Sequence, residues 1–147
     1  MEFEKLITDF ATRHGVDGLV AEDNAAALDI DGIVVTIVAV GDTVSISAPI
    51  GETPTEGHAD FADMLLEANL ELDQTFAKSR DTGKYILLRR LALDSLDDNT
   101  FDSALEALVN QAETWSRLLE DFRPAAEKAA EEESQAGQLS AGGFMQV

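Results

Sequence analysis

The order of apolar and polar positions predicts a helix at the start of the chain. Over residues 2–14 the apolar side chains recur three, four and seven positions apart, which places them on one stripe of a helix. Gly15 follows that stripe and supplies a stop signal. The next segment, DGLVAEDN, is interpreted as a loop.

Period-two alternation then predicts three strands. The segment ALDIDG turns Leu28 and Ile30 inward, and Asp31-Gly32 has the composition of a hairpin turn. IVVTIVAV and TVSISAP are predicted as the second and third strands, joined by another tight turn. Three strands joined in this way form an antiparallel meander.

The second of these strands, IVVTIVAV, is apolar on both faces. One face carries Val35, Ile37 and Ala39, and the other carries Val34, Thr36, Val38 and Val40. A strand with one face in water should alternate between apolar and polar residues. Two interpretations remain open: a central strand covered on both sides, or a face that is kept for a partner.

The second half of the chain returns to the helical period and then alternates again. ADFADMLLEANLEL predicts a helix with one apolar face around Phe61 and Leu65 and a second apolar face at Leu66 and Leu70. A hairpin is predicted over residues 75–91, with its turn at DTGK. The last helix carries an apolar stripe at alternating steps of four and three; the stripe comprises Phe101, Leu105, Leu108, Ala112, Trp115, Leu119 and Phe122.

This order predicts an α+β fold of the form helix-β-β-β-helix-β-β-helix. An antiparallel twisted sheet with helices packed on it is the arrangement expected for such a mixed order. We expect residues 1–124 to form one domain. Residues 125–147 are first acidic and then rich in Gly, Ser and Gln, which predicts a flexible tail.

Charge and composition narrow the classes of partner. The chain has 10 Lys and Arg against 29 Asp and Glu, a formal charge of −19, so its surface should repel nucleic acid and anionic lipid. It has no cysteine, no apolar stretch that could span a membrane and no apolar block in residues 1–20, which fits a cytoplasmic protein.

The basic residues are unevenly distributed along this acidic chain. Five of the ten lie in the predicted hairpin, namely Lys78, Arg80, Lys84, Arg89 and Arg90. We expect them to pair with acidic side chains of the same molecule. An acidic segment of a partner is the alternative.

Candidate catalytic and metal-binding residues are few. His14 and His58 have no neighbouring residues at metal-ligand or catalytic spacing. Asp29 and Asp31 share one strand face and could hold a cation, but a solvated face is the favoured interpretation. The segment DSLDDN lacks the glycine and distal glutamate of a calcium loop, so it is predicted to cap the last helix. We therefore expect no enzyme activity, no metal and no cofactor.

At LLEANLEL the sequence resembles the class I type III secretion chaperones, the Tir-chaperone-like family. That family has a helix ending in an LLxAN run, then a hairpin, then a long acidic helix with a late aromatic residue. Here these parts are Leu65–Asn69, residues 75–91, LALDSLDDNTFDSALEALV and AETWSRLLEDF. The upstream order HGVDGL, LDIDG and an apolar strand also follows the family, so the likeness covers about residues 2–123.

The resemblance implies a homodimer that binds the N-terminal segment of a secreted effector in extended form. Its dimer contact would involve Leu66, Leu70 and Phe76. Its partner groove, beside the first helix and the sheet, would be lined by Leu6, Phe10, Leu28, Ile30, Val35 and Ile37. A non-enzymatic adaptor on the same fold that binds folded partners is the alternative, and an enzyme or metal-binding protein using Asp29 or Asp31 is a third possibility.

Overall fold

The structure is a computed structural model that describes residues 3–22 and 24–122, so the predicted tail at 125–147 lies outside the described residues. The first half contains α1 (Phe3–His14), β1 (Asp17–Glu22), β2 (Ala25–Ile30), β3 (Ile33–Val40) and β4 (Thr43–Glu52). The second half contains α2 (His58–Ala68), β5 (Thr75–Lys78), β6 (Lys84–Ala92), a short 3₁₀ turn (Leu93–Ser95) and α3 (Asp98–Glu120).

The strands form one antiparallel six-stranded sheet in the order β1-β2-β3-β4-β6-β5. The predicted α+β class and antiparallel sheet are therefore confirmed, but the number of strands was one too low. Residues 17–22, predicted as a loop, form β1 and pair with β2 from Asp17 opposite Asp29 to Glu22 opposite Ala25. This segment is a strand because it pairs with β2, and its own sequence has no alternation of apolar and polar residues that would predict a strand.

The turn between β2 and β3 has the predicted hairpin chemistry. Asp31 and Gly32 have φ angles of 53° and 85°, the left-handed conformations that a two-residue hairpin turn requires. The Gly32 amide donates to Asp29 Oδ1 at 3.0 Å. Asp29 therefore stabilises the turn, which is a structural task and accounts for this carboxylate without a cation.

Helices cover one face of the sheet. On that face β2 to β6 contribute a continuous buried layer that includes Leu28, Val35, Ile37, Val44, Ile46 and Leu87. The α1 stripe and the first half of the α3 stripe bury against this layer, as their helical spacing predicts. The Phe10 and Phe101 rings, one from each helix, meet edge to face with centroids 5.7 Å apart.

The predicted long helix α3 is confirmed, and the geometry at its start shows the role of the DSLDDN segment. Asp97 is the N-cap, and its Oδ1 accepts a 2.7 Å hydrogen bond from the Thr100 amide. This backbone hydrogen bond holds the pKa of Asp97 below its usual value. The segment therefore caps a helix, as predicted.

The later part of α3 is attached to β4 by two close contacts. Ser116 Oγ donates to the Ile50 carbonyl at 2.9 Å. Beside it, Gly51 has a φ of +153°, and a Cβ atom added there would lie 2.7 Å from Leu119 Cδ2. A larger residue here would require the Leu119 side chain to move, and glycine also accepts this backbone conformation without strain.

An aromatic cluster fastens α2 to α3 and the edge of the sheet. The Phe61 ring lies 5.6 Å from Tyr85, 6.3 Å from Trp115 and 5.1 Å from Phe122, measured between centroids. Phe76 of β5 meets Trp115 at 4.9 Å. Trp115 of α3 and Phe122 just after it therefore pack on Phe61 of α2.

The α2 helix is shorter than predicted, because it ends at Ala68 and not near Leu72. Asn69 directly follows the helix, and its side chain pairs with the backbone of Phe76. The Phe76 amide donates to Asn69 Oδ1 at 2.7 Å, and Asn69 Nδ2 donates to the Phe76 carbonyl at 3.5 Å. This contact draws the chain toward β5 and places Leu70 in the turn after the helix.

Candidate partner-binding surfaces

The second face of the sheet is open in the part of the chain that the structure describes. None of the residues that β2 to β6 present on this face is buried. Val34 and Val40 of β3 expose 49% and 70% of their surface. Half-buried Val38 lies between them, and Ile86 and Leu88 of β6 continue the apolar surface. We call Val34, Val38, Val40, Ile86 and Leu88 the open-face patch.

Polar residues lie between the two apolar parts of this patch. Cross-strand pairing sets Val38 opposite Ser45, and Ser45 in turn lies opposite Arg90. Thr36 lies opposite Ser47, which lies opposite Leu88. The face is therefore mixed in character, with small hydroxyl residues in the middle and valine, isoleucine and leucine on both sides.

The residues predicted to line a partner groove lie mostly in the core. Leu28, Val35 and Ile37 belong to the covered face of the sheet and Leu6 lies on α1, and each of the four is 0% exposed. As they stand, these four side chains support the sheet from its helical side and present no surface to a partner. The strand has the predicted two apolar faces, but a shift of one residue exchanges their roles.

The other two predicted groove residues reach the margin of a cavity. Phe10 is buried and Ile30 is half-buried, and both line a cavity of about 420 Å³. The cavity lies between the end of α1, the first half of α3 and the β2–β3 turn. Its apolar lining also includes Val16 and Val109, and its polar lining includes His14, Asp31, Asp102, Glu106 and Asn110. We call it the α1–α3 pocket.

An ionic network closes one side of the α1–α3 pocket. Arg13 Nη2 lies 2.5 Å from Asp102 Oδ1, and His14 Nε2 lies 2.9 Å from Asp102 Oδ2. Arg13 Nη1 also lies 3.4 Å from Asp98 Oδ1. Burial alone would raise the pKa of Asp102, but the hydrogen bonds and charges of Arg13 and His14 lower it below its usual value. Asp102 is therefore ionised and ties α1 to α3.

A separate apolar surface lies where α2 meets β5. Leu66 and Leu70, two of the predicted dimer residues, expose 63% and 88% of their surface. Phe76, the third, is buried against Trp115 and supports this surface from beneath. A shallow pocket of about 170 Å³ lies beside Leu66, with Asn69 and Tyr85 in its lining. We call Leu66, Leu70 and this pocket the α2 surface.

The basic residues of the second hairpin form no ion pair with the acidic side chains that the structure describes, so their predicted internal pairing is not seen among these residues. No described carboxylate lies within 4.0 Å of the charged groups of Lys78, Arg80, Lys84, Arg89 or Arg90. The ion pairs that the structure shows lie within α1, within α3 or between those two helices. Even Lys84, directly opposite Glu52 across the β4–β6 ladder, makes no ion pair with a described residue.

Within the described part of the chain, no three acidic or histidine side chains come together as a candidate metal site. The helices among the described residues are also too short or too polar to cross a membrane.

The match to a family model decides the family. The model of the Tir chaperone protein (CesT) family matches residues 5–116, which is most of the chain and includes every element from α1 into α3. The chain belongs to the Tir chaperone family. The resemblance inferred from LLEANLEL and the segments around it is thereby confirmed. No curated protein matches the chain.

Solved structures share the fold of this Tir chaperone family member. A chain of the ExsC–ExsE complex is 24% identical, with a TM-score of 0.68 over 86% of this chain and 99% of that chain. A chain of the Yersinia pestis type III secretion chaperone SycH in complex with a fragment of YscM2 is 23% identical, with a TM-score of 0.59 over 76% and 97%. YbjN, a putative transcription regulator from E. coli, is 14% identical, with a TM-score of 0.60 over 80% and 92%.

Sequence reasoning missed the polar half of the α1–α3 pocket. Asp102, Glu106 and Asn110 follow one another at steps of four along α3 and line the same cavity. That spacing is legible in the sequence, since residues four apart share a helix face. It could not be linked to His14 or to the β2–β3 turn before the packing of α1 on α3 was known.

Proposed function

We propose that this protein is a type III secretion chaperone that binds the N-terminal segment of a secreted effector in extended form. The observation that carries the proposal is the family match over residues 5–116. In this proposal the chaperone keeps the effector soluble and secretion-competent by covering its apolar residues. No chemical step is required for this, and we propose that the protein is not an enzyme. Its proposed location is the cytoplasm, where an effector is met before export.

The open-face patch supports this function. Val34 and Val40 are more exposed than a monomer needs, and such apolar surface commonly marks a site of interaction. An extended segment can place alternate side chains on this patch. The outer edges of β1 and β5, which no described strand pairs with, can add backbone hydrogen bonds. The partner groove of this proposal therefore includes Phe10 and Ile30 at the α1–α3 pocket and the valines of β3, while Leu6, Leu28, Val35 and Ile37 support it from the core.

We propose that the chaperone is a homodimer formed through the α2 surface. Leu66 and Leu70 are exposed on it, and a two-fold contact would bury both residues twice. Residues 1–124 form the binding domain in this proposal, and no task is assigned to residues 125–147.

The deciding experiment is co-purification from the native host. The tagged full chain is recovered from lysate, treated briefly with protease and analysed by mass spectrometry. We expect one or two secreted proteins at stoichiometric amounts, each with a protected N-terminal segment. Val40→Asp should lose this capture, whereas Leu118→Asp, an exposed leucine on α3, should retain it. Recovery of the chain without any secreted protein would contradict the proposed function.

A second candidate is an adaptor that binds folded partners. The observation in its favour is that the fold is shared by YbjN, which is described as a putative transcription regulator. The same co-purification separates the two functions. An adaptor would retain folded proteins whose N-terminal segments stay as sensitive to protease as in the free partner.

A further inference from the structure

The α1–α3 pocket combines an apolar interior with an acidic margin. Phe10 and Val109 are buried in its wall, and half-buried Ile30 adjoins them. Asp31 and Glu106 are exposed at its margin, on the β2–β3 turn and on α3. A long side chain that entered here would meet hydrocarbon along its stem and carboxylates near its end.

Two of the carboxylates at the pocket are free for a ligand. Asp102 is occupied by Arg13 and His14. The Asp31 and Glu106 carboxylates, in contrast, make no hydrogen bond or ion pair with any group that the structure describes. Arg13, which pairs with Asp102 of the pocket lining, is already shared between Asp98 and Asp102. The margin therefore keeps an unneutralised negative charge in a protein that is acidic throughout.

We propose that the α1–α3 pocket binds an arginine side chain of the partner segment. The methylene stem packs on Phe10 and Ile30, and the guanidinium bonds to Glu106 and Asp31. Arginine fits better than lysine because its planar fork serves acceptors on two separate elements at once. The guanidinium is also the more weakly hydrated cation and stacks readily on an aromatic ring.

The α1–α3 pocket differs from the open-face patch and the α2 surface in how strongly it can select among partners. The open-face patch and the α2 surface offer mainly apolar contacts, which add affinity with little selection among partners. A charged pocket selects, because a partner without the basic residue leaves two carboxylates unmatched and gains less. The pocket would thus fix the register of the bound segment. Because it takes the arginine to belong to that segment, this inference rests on the proposed function.

The test uses the free full chain and a small probe. Nα-acetyl-L-arginine methylamide is titrated into ¹⁵N-labelled protein at low salt, with the citrulline analogue as an isosteric uncharged control and the lysine analogue as a second cation. We expect saturating shifts at the amides of residues 30–32 and 102–110 with arginine, at least fivefold weaker binding of lysine, and no saturation with citrulline.

Two single substitutions locate the effect. Glu106→Gln should weaken arginine binding at least fivefold, whereas Glu120→Gln removes the same charge from the same helix outside the pocket and should leave it unchanged. Equal binding of citrulline, equal effects of the two substitutions, or shifts spread over the whole acidic surface would each overturn the arginine site. Because no partner is present, these outcomes leave the co-purification result, and with it the proposed function, unaffected.

Discussion

The two faces of β3 differ more than their sequences do. Val35 and Ile37 on one face are completely buried, whereas Val34 and Val40 on the other expose 49% and 70% of their surface. All four are β-branched aliphatic residues of similar size. The difference between the faces therefore comes from what the rest of the chain places over them: α1 and α3 on one side, and no described element on the other.

This comparison separates residues that hold the fold from residues that are available to a partner. Burial of a valine or isoleucine contributes roughly 1.5–3 kcal/mol to stability, which explains the covered face. The exposed valines contribute little of this in the monomer. In the proposed function a partner covers these valines, which would account for their presence on β3, and substitutions on the two faces test that account.

The largest effect should follow from placing a charge on either face of β3. Val35→Asp buries a carboxylate without a partner and should remove about 4 kcal/mol or more of folding free energy, enough to unfold many domains. Val40→Asp points into water and should leave the melting temperature within a few degrees. Circular dichroism during heating measures both variants.

The functional half of this comparison uses the variant that stays folded. Val40→Asp should retain native circular dichroism and lose the co-purified partner. If this variant captured the partner as well as the original chain does, the open-face patch would not be a binding site. Partner binding would then not explain why the second face of β3 is apolar.

The next largest effect concerns the proposed dimer. Leu66→Asp together with Leu70→Asp removes apolar contacts that two-fold symmetry repeats, so the dimer dissociation constant should rise about 100-fold or more. Light scattering coupled to gel filtration at several concentrations measures it. Leu118→Asp, which changes an exposed leucine on α3, is the matched control. A dimer unaffected by the double change would mean that the α2 surface is not the interface.

A smaller effect should follow from changes to Asn69. Asn69→Leu leaves the Phe76 amide and carbonyl without their side-chain partners, which should lower the free energy of unfolding by about 1–3 kcal/mol. Asn69→Asp keeps the acceptor for the Phe76 amide and should lose less. Urea denaturation ranks the three proteins. Equal losses for both variants would show that the amide pairing does not hold the end of α2 to β5.

The smallest expected effect is the loss of folding stability at acidic pH that follows from protonation of Asp102. Asp102 has a folded pKa below its usual 3.8, so its contribution is present above that value and is lost as pH falls through the lowered folded pKa. We expect at most about 1 kcal/mol from this partly exposed group. Asp102→Asn should lower stability at pH 7 and show a shallower further loss below pH 4, measured as urea midpoints. An identical acid profile in both proteins would exclude Asp102 as a source.

The helices and most of the sheet were predictable because each depends on a local period. The stripes of α1 and α3 and the turn at Asp31-Gly32 follow directly from residue spacing and turn chemistry. β1 was not predictable in this way, since its strand character comes from pairing with β2. The end of α2 was also missed, because the chain there turns toward the next strand, where the Phe76 amide donates a hydrogen bond to Asn69 Oδ1.

The candidate surfaces were harder to predict than the fold. The sequence shows that β3 has two apolar faces but not which one the helices cover, and a shift of one residue moves Val35 from a groove to the core. Leu66 and Leu70 were found because their spacing leaves them outside the buried stripe of α2. The α1–α3 pocket required α1, α3 and the β2–β3 turn to be placed together.

The strand order also has a consequence for how the chain folds. The pairs from β1 to β4 join neighbours in sequence, so that half of the sheet closes through short loops and can form early. β4 ends at Glu52, but its other neighbour, β6, begins only at Lys84. During synthesis on the ribosome β4 is therefore an unpaired edge until β6 emerges, and this interval is when the nascent chain is most exposed to misassembly.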